Sequence, residues 1–224
     1  MEVKLVAKTY PIQGASDMQV VEEAASMCYK STPTPDFRIA KVCYAAGHKS
    51  ILEHISFTFH IKGVSRALLA QLTRHRHSSF SVQSQRYVSY EDGFDYVNPF
   101  MEETVAYDLF ESDISDAQDH YNRYIELGEK PENARAILPN ACCTELYLTM
   151  NARTLIESSN ERLCTRAQSE IREMFKKMKE QVAIYSPIIA NWMVPKCEKF
   201  EKYPFCTEHK SCGRHPKLSE VYKK

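Results

Sequence analysis

The sequence predicts an α+β fold, a single domain in which an antiparallel sheet packs with several helices. Residues 55–61 alternate apolar and polar side chains, the period of a strand with one buried face. Residues 102–127 carry the longest helical pattern in the chain. Only six glycines are present, and no linker-like or low-complexity stretch divides the sequence. These three observations together favour one mixed domain.

The N-terminal half contains further local signals. Ser16 is placed to cap a helix, and Asp36 is placed to cap a second helix that Gly47 ends. The segment after residue 76 is rich in Ser and Gln without a helical period, so it predicts a loop. The elements expected here are strands at 3–10, 55–61 and 87–90, helices at 17–29 and 64–75, and a loop at 77–85.

The C-terminal half continues the mixed pattern. Gly128 and Pro131 end the long helix, and Pro139 ends a short helical segment. The elements expected are helices at 102–127, 134–138, 152–160 and 164–185, and a strand at 143–150. Four prolines make the last thirty-odd residues irregular. We therefore expect a domain over residues 1–190 and an irregular extension, containing Cys and His, over residues 191–224.

Composition limits the partners. Lys plus Arg and Asp plus Glu both number 29, so the formal net charge is zero. This balance argues against broad binding of nucleic acid or of a membrane surface. No apolar run approaches the length of about 20 residues that a membrane span requires. The N-terminus lacks a signal-peptide pattern, so we expect a cytoplasmic protein whose eight cysteines are thiols.

Residues 71–87 form the most informative segment, with three arginines, two histidines, four serines and no acidic residue. Three guanidinium groups cannot enter a core without anionic partners, because their desolvation is costly. A phosphate suits them, because Arg grips phosphate oxygens with two parallel hydrogen bonds and Ser hydroxyls add neutral donors. The segment therefore indicates an anionic ligand supplied from elsewhere.

Other interpretations of this segment remain open. By composition alone, a solvated basic loop that pairs with acids of another helix accounts for it equally well. A metal site at His75 and His77 is disfavoured, because the neighbouring guanidinium charges repel a cation. A nucleophilic Ser78 or Ser84 is disfavoured, because no acidic residue is near to orient a histidine base.

Arg74-His75-Arg76, then seven residues, then Ser84 resembles the signature of the flavin-dependent thymidylate synthases, the ThyX family. Further stretches that are similar to this family extend the resemblance over roughly residues 1–190. In chain order they are 48–54 with 57–59, 134–135 with 138–139, 151–153, Arg162, 167–168 and 170–171. The resemblance implies the ThyX-like α+β fold for this chain.

The resemblance also implies an activity, the reductive methylation of dUMP to dTMP. Methylenetetrahydrofolate would donate the one-carbon unit, and FAD reduced by NADPH would deliver the hydride without an enzyme nucleophile. It further implies a homotetramer whose active sites draw on several chains. The alternative from a different class is a non-catalytic regulatory module that binds a nucleotide phosphate.

The resemblance assigns site residues in two groups. Its dUMP contacts fall on Gln71, Arg74, Val82, Gln83, Ser84, Gln85, Arg86, Arg135 and Arg162. Its FAD contacts fall on Ser50, Arg74, His75, Arg76, Val82, Asn151, Ala152, Arg153 and Glu157. Arg162 is the expected catalytic residue, because a cation at the uracil edge stabilises negative charge on the ring. Arg166 is expected to pair with a flavin or nucleotide phosphate.

Two features have no assigned partner. The long helix at 102–127 and the strand at 143–150 suit subunit contacts or packing within one chain. Cys206, His209, Cys212 and His215 follow one another at intervals of three residues, a spacing that suggests zinc. Because a second Cys-x2-Cys pair is missing, we assign no metal ligands from the sequence.

Overall fold

A computed structural model describes residues 1–14, 16–199 and 203–221. Its strands are β1 Glu2–Lys8, β2 Ser56–Ser65, β3 Ser78–Val82 and β4 Cys143–Asn151, and they form a sheet in the order β1-β2-β4-β3. Its α-helices are α1 Asp17–Met27, α2 Arg38–Ala45, α3 Arg66–Leu72, α4 Val105–Glu126, α5 Pro131–Ala134, α6 Ala152–Arg162, α7 Ser169–Tyr185, α8 Pro187–Trp192 and α9 Leu218–Val221. Short 3-10 helices cover Ser50–His54, Arg135–Ile137 and Lys196–Glu198. The predicted α+β class is confirmed.

Strand β2 forms where the alternating pattern predicts it. Phe57, Phe59 and Ile61 are fully buried, while the residues between them face the other side of the sheet. On that other side, the Thr58 and Thr149 hydroxyls lie 2.9 Å apart, and the rings of His60 and Tyr147 stack at 4.6 Å. Two residues forward on β2 match two residues back on β4, so this pair is antiparallel.

The chain separates into two compact units. The first unit comprises Met1–Glu2, His60–Arg74 and Phe80–Tyr147. Its core includes Tyr121 and Ile114 of α4 together with Tyr90 and Phe94, whose rings meet edge to face. The second unit comprises Val3–Phe59, His75–Ser79 and the described residues from Leu148 onward. In its core, α6 packs on α7 and α1 packs on α2.

Two predictions around residue 80 are wrong. The predicted loop at 77–85 contains strand β3, and the predicted strand at 87–90 is irregular. Gln83 at the end of β3 donates its backbone N–H to the Glu145 carbonyl of β4 at 2.9 Å. Pairing with a neighbouring strand therefore outweighs the weak local preference of Ser and Gln. Val88 instead donates to the Ser84 carbonyl at 3.1 Å and closes a turn.

Helix ends follow some of the local signals and not others. Ser16 caps α1 by accepting from the N–H of Met18, as predicted. Asp36 does not cap α2, because Phe37 occupies the N-cap with φ +57° and makes no side-chain cap. The N–H groups of Ile39 and Ala40 instead reach the Glu22 carboxylate of α1. Gly47 follows α2 with φ +87°, a conformation that glycine adopts without strain.

Several boundaries shift by a few residues. Strand β2 continues to Ser65, whose hydroxyl accepts from the Leu68 N–H and starts α3 two residues later than the helix predicted from 64. Helix α7 begins at Ser169 rather than at 164, and α8 lies partly in the segment predicted to be irregular. Among the described residues, no helix combines the length and the apolar composition that crossing a bilayer requires.

Candidate functional site

Helix α6 carries two polar side chains of the second unit on one face. Ser158 and Arg162 are four residues apart, so they project from the same side of the helix. Both contact His75: the Ser158 Oγ lies 3.0 Å from Nδ1, and the Arg162 Nε donates to Nε2 at 3.0 Å. The Phe175 ring of α7 lies 6.2 Å from the imidazole. His75 is thereby held at both nitrogens and on one face.

The hydrogen bonds define the protonation state of His75. Guanidinium nitrogens only donate, so Nε2 must be the unprotonated nitrogen, and Nδ1 carries the proton toward Ser158. Burial, followed by the charge of Arg162, lowers the pKa of His75 to about 4. The imidazole is therefore neutral at physiological pH. The pKa of Arg162 is also lowered by burial, although Glu161 opposes the shift, and the guanidinium remains a cation.

A cavity of about 310 Å³ opens beside this contact. Its lining is mostly charged and consists of His75, Glu161, Arg162, Cys164, Arg166, Ala167, Lys196 and Glu208. Glu208 forms ion pairs with Lys196 and with Arg166, whose Nε lies 3.1 Å from its Oε2. Arg166, expected to face a phosphate, is thus paired with a protein carboxylate. The cavity is suited to a polar ligand.

A second charged cluster of this unit surrounds the start of α6. Arg153 Nη1 lies 2.6 Å from Glu53 Oε1, and Arg153 Nε lies 3.4 Å from Glu157 Oε1. The Lys49 ammonium also lies 3.4 Å from Glu157 Oε1. Ser50, which is exposed, follows Lys49 directly. Two predicted flavin residues, Arg153 and Glu157, therefore belong to one surface cluster, and a third, Ser50, is the sequence neighbour of Lys49.

Two neighbouring predicted flavin residues build the helix start itself. Asn151 is the N-cap of α6, and its side-chain oxygen accepts from the Thr154 N–H at 2.8 Å. Ala152 is fully buried and donates its N–H to the Ile55 carbonyl at 2.8 Å. The side chain of Ala152 therefore faces the interior of the protein.

In the first unit, Glu132 of α5 connects two predicted dUMP residues. Its Oε2 accepts from Nε and Nη2 of Arg86 at 3.1 and 3.0 Å, and its backbone carbonyl accepts from Nε of Arg135 at 3.1 Å. Both arginines are exposed. For Arg86, the contact with Glu132 agrees with the other interpretation of this segment, a basic loop that pairs with an acid of another helix.

The segment between β3 and Arg86 is held by its own polar groups. The Ser84 hydroxyl accepts from the Arg86 N–H at 3.2 Å, so it forms part of a turn. The Gln83 carbonyl accepts from Arg66 Nη2 at 2.8 Å, and the Gln85 amide lies 3.7 Å from the Cys142 sulfur. Val82 borders a shallow cavity of about 320 Å³.

The remaining predicted residues lie on α3 and immediately after it. Gln71 is half-buried on α3, and its amide donates to the Ala67 carbonyl at 3.4 Å. Arg74 and Arg76 are both exposed. Arg74 belongs to the first unit and Arg76 to the second. Contacts within the units thus link Arg86 and Arg135 each to Glu132, and they join His75 to Arg162 and Arg153 to Glu157.

The structure adds four partners that sequence reasoning did not single out: Lys49, Glu53, Glu132 and Ser158. Three of them had a usable signal. Lys49 and Glu53 lie inside the similar stretch at 48–54, and Ser158 precedes Arg162 by one helical turn. Glu132 had no such signal, because it lies 46 residues from Arg86 in the sequence and only folding brings the two residues into contact.

Comparisons with known proteins agree with this architecture. The family model of the thymidylate synthase complementing proteins (Thy1) matches residues 4–188. The flavin-dependent thymidylate synthase of Clostridium tetani is 34% identical over 233 residues, which cover 91% of this chain and 92% of the relative. The enzyme of the same description from Geobacter sulfurreducens is 40% identical over 188 residues, 78% of this chain and 81% of the relative.

Two solved structures share the fold. The ThyX of Helicobacter pylori, complexed with FAD and dUMP, aligns with a TM-score of 0.69 at 22% identity and covers 87% of this chain and 100% of its own. The UMP/dUMP methylase PolB of Streptomyces cacaoi, bound with 5-Br dUMP, aligns with a TM-score of 0.69 at 23% identity and covers 85% of this chain and 93% of its own. The predicted ThyX-like fold is therefore confirmed.

Proposed function

The chain belongs to the flavin-dependent thymidylate synthase family, and we propose that it methylates dUMP to dTMP with methylenetetrahydrofolate as the one-carbon donor and NADPH as the reductant. FAD, when bound, supplies the hydride that reduces the transferred carbon. The observation that carries this proposal is the contact between Arg162 and the neutral His75. It places a fixed cation at the edge of a polar cavity.

Arg162 has the chemistry that activation of uracil requires. C5 of the ring becomes a carbon nucleophile when negative charge builds up on the N3–O4 side, and a guanidinium there stabilises that charge. His75 accepts from Nε and so fixes the plane of the guanidinium. Because the imidazole is neutral, it adds no charge that would compete with the uracil for Arg162. The residue is thus oriented before the nucleotide arrives.

Arg86 and Arg135 are proposed to hold the phosphate of dUMP. Glu132 contacts both residues, Arg86 through its carboxylate and Arg135 through its backbone carbonyl. A nucleotide phosphate carries up to two charges, and two guanidinium groups match both its charge and its oxygen geometry. The other proposed dUMP contacts are Gln71, Arg74 and the segment 82–86. We propose that Ser84 binds dUMP and does not act as a nucleophile, because its hydroxyl oxygen already accepts a hydrogen bond from the Arg86 N–H within the turn.

The flavin is proposed to lie against the surface cluster of the second unit. Lys49 and Arg153 supply cations, Ser50 is exposed and follows Lys49 in the chain, and Glu157 offers acceptors for sugar hydroxyls. These residue types fit a dinucleotide with phosphates and a polyol chain. Glu53 orients Arg153 through a 2.6 Å ion pair. The remaining proposed flavin contacts are Arg74, His75, Arg76, Val82, Asn151 and Ala152.

Loss of tritium from C5-labelled dUMP tests the proposal directly. We expect release that depends on NADPH and methylenetetrahydrofolate, by a protein that binds FAD as shown by its absorbance spectrum. Arg162→Ala should lower kcat by about 100-fold or more and leave FAD binding intact, because the lost contact acts mainly in the transition state. Arg38→Ala, which removes an exposed guanidinium on α2, serves as the matched control.

The same assay separates the two function classes. A protein that binds dUMP but never releases tritium is the regulatory module and not the enzyme. If the unmodified protein turns over and Arg162→Ala changes only the apparent affinity for dUMP, with the maximal rate unchanged, the assigned role of Arg162 is wrong while the activity stands.

A further inference from the structure

The C-terminal segment gathers metal-binding side chains that the proposed reaction does not use. Cys197 and Glu198 lie on the 3-10 helix Lys196–Glu198, and His215 returns to them from 17 residues along the chain. One ligand atom from each of the three residues lies within 4.8 Å of the other two. All three side chains are partly buried. A thiol, a carboxylate and an imidazole thus converge on one point.

We propose that Cys197, Glu198 and His215 bind a divalent cation of the zinc class. Zinc takes thiolate, imidazole and carboxylate ligands at about 2.0–2.3 Å in a tetrahedron, so its ligand atoms lie roughly 3.5 Å from one another. The spacing seen here needs only small side-chain movements to reach that geometry. A thiolate together with an imidazole favours zinc over magnesium or calcium, which prefer oxygen ligands alone.

The charges at the site balance upon binding. Cys197 releases its thiol proton to solvent and binds as a thiolate, and Glu198 binds as a carboxylate. The two negative charges neutralise a doubly charged ion. Arg214 Nη1 lies 3.2 Å from Oε1 of Glu198, so its guanidinium is the positive charge that faces this carboxylate. The bound cation would replace Arg214 at that oxygen.

Local backbone structure holds the three residues near each other. Phe205 donates its N–H to the Cys197 carbonyl at 3.1 Å, and Cys206 donates to the Pro216 carbonyl at 2.7 Å. Residues 205–206 therefore connect Cys197 to Pro216, which follows His215 directly. Gly213, with φ +86°, turns the chain back toward His215.

The fourth tetrahedral position is left to a water molecule. Among the described residues, the cluster consists of Cys197, Glu198 and His215 and does not include the thiols of Cys164 and Cys206. The structure therefore selects ligands other than the evenly spaced set Cys206, His209, Cys212 and His215 that the sequence suggests. Of that set, His215 belongs to the assembled cluster.

Elemental analysis of the full chain, purified without an affinity tag and dialysed against a chelator, tests the site. We expect about one zinc per chain, as stable structural sites retain. Loading with cobalt instead should produce a thiolate-to-cobalt charge-transfer band. Cys197→Ser should abolish that band, and His215→Gln should weaken metal retention by at least about tenfold.

His209→Gln and Cys28→Ser are the matched controls, since both replace exposed residues outside the cluster. They should leave the metal content and the cobalt band unchanged. Absence of retained zinc together with absence of the band in unmodified protein overturns the proposal, even if the variants fail to fold. A band of undiminished intensity in Cys197→Ser overturns it as well, because Cys197 supplies the thiol of the cluster.

Discussion

Two features of its surroundings determine the protonation state of His75. The Nε of Arg162 requires an unprotonated nitrogen, and the partial burial of the ring disfavours an imidazolium. Ser158 then takes the remaining proton on the opposite nitrogen. Each contact selects the same tautomer. We therefore regard His75 as a positioning residue for the catalytic cation rather than as a proton carrier.

The lowered pKa of His75 leads to a pH prediction. Between its ordinary pKa of 6.5 and its folded pKa of about 4, the unfolded chain binds a proton that the folded chain excludes. The free energy of unfolding should therefore fall as the pH falls through this window. His75→Gln, which keeps an acceptor but cannot titrate, should show a smaller loss between pH 7 and pH 5. Urea unfolding at the two pH values measures the difference.

His77→Gln provides the control for this experiment, because it removes an exposed histidine from the same segment. It should retain the pH dependence of the unmodified protein. An unchanged loss of stability in His75→Gln, or an imidazole NMR signal of His75 that titrates near its ordinary pKa, contradicts the assignment of a neutral, buried ring.

At the scale of elements, a carboxylate of helix α1 accepts hydrogen bonds from the first turn of helix α2. Glu22 of α1 accepts from the N–H groups of Ile39 and Ala40 in α2, and from the N–H and hydroxyl of Thr34. Burial raises the pKa of Glu22, but these donors outweigh it and hold the pKa below the usual value. The N-terminus of α2 is thus satisfied by a charge from outside its own sequence.

Replacement of Glu22 should be costly. Glu22→Gln turns an acceptor into a donor that faces backbone N–H groups, so we expect the free energy of unfolding to fall by about 2–3 kcal/mol. The stabilisation in the unmodified protein should be lost as the pH falls through the lowered pKa of Glu22. Glu23→Gln, on the exposed face of the same helix, should change stability by less than about 0.5 kcal/mol. Equal effects of the two changes in urea unfolding would refute this account.

At the scale of the whole molecule, the proposed homotetramer with shared active sites makes a distinct prediction. Arg135→Ala should bind dUMP weakly and Arg162→Ala should turn over at least about 100-fold more slowly, so each variant alone should be nearly inactive at a low dUMP concentration. If a site draws Arg135 from one chain and Arg162 from another, mixed assemblies contain sites with both native residues, about a quarter of the total for random pairing. Tritium release by co-expressed variants measures this recovery.

Mixing the two variants after purification without exchange of subunits is the control, and it should show no recovery. Native mass measurement gives the number of chains at the same time. Activity that stays absent in assemblies shown to contain both variants contradicts shared sites, whereas the activity of the unmodified enzyme is unaffected by that result.

Strong periodic patterns allowed most elements to be predicted. The buried Phe57, Phe59 and Ile61 of β2 were expected because their alternation depends only on which side chains avoid water. Strand β3 was missed because Ser and Gln have little preference of their own, and pairing with β4 determines their conformation. Asp36 was wrongly chosen as a cap because Glu22, remote in sequence, supplies the acceptor.

For the site, the spacing from Arg74 to Ser84 was sufficient to indicate the family and an anionic ligand, because the guanidinium groups have no acid within their own segment. The sequence by itself thus determined the fold class, the family and the residue types available for chemistry. Only the tertiary structure decided that Arg162 binds His75 across 87 residues, that Glu132 joins Arg86 to Arg135, and that His215 meets Cys197. These contacts depend on three-dimensional proximity, which a linear pattern does not contain.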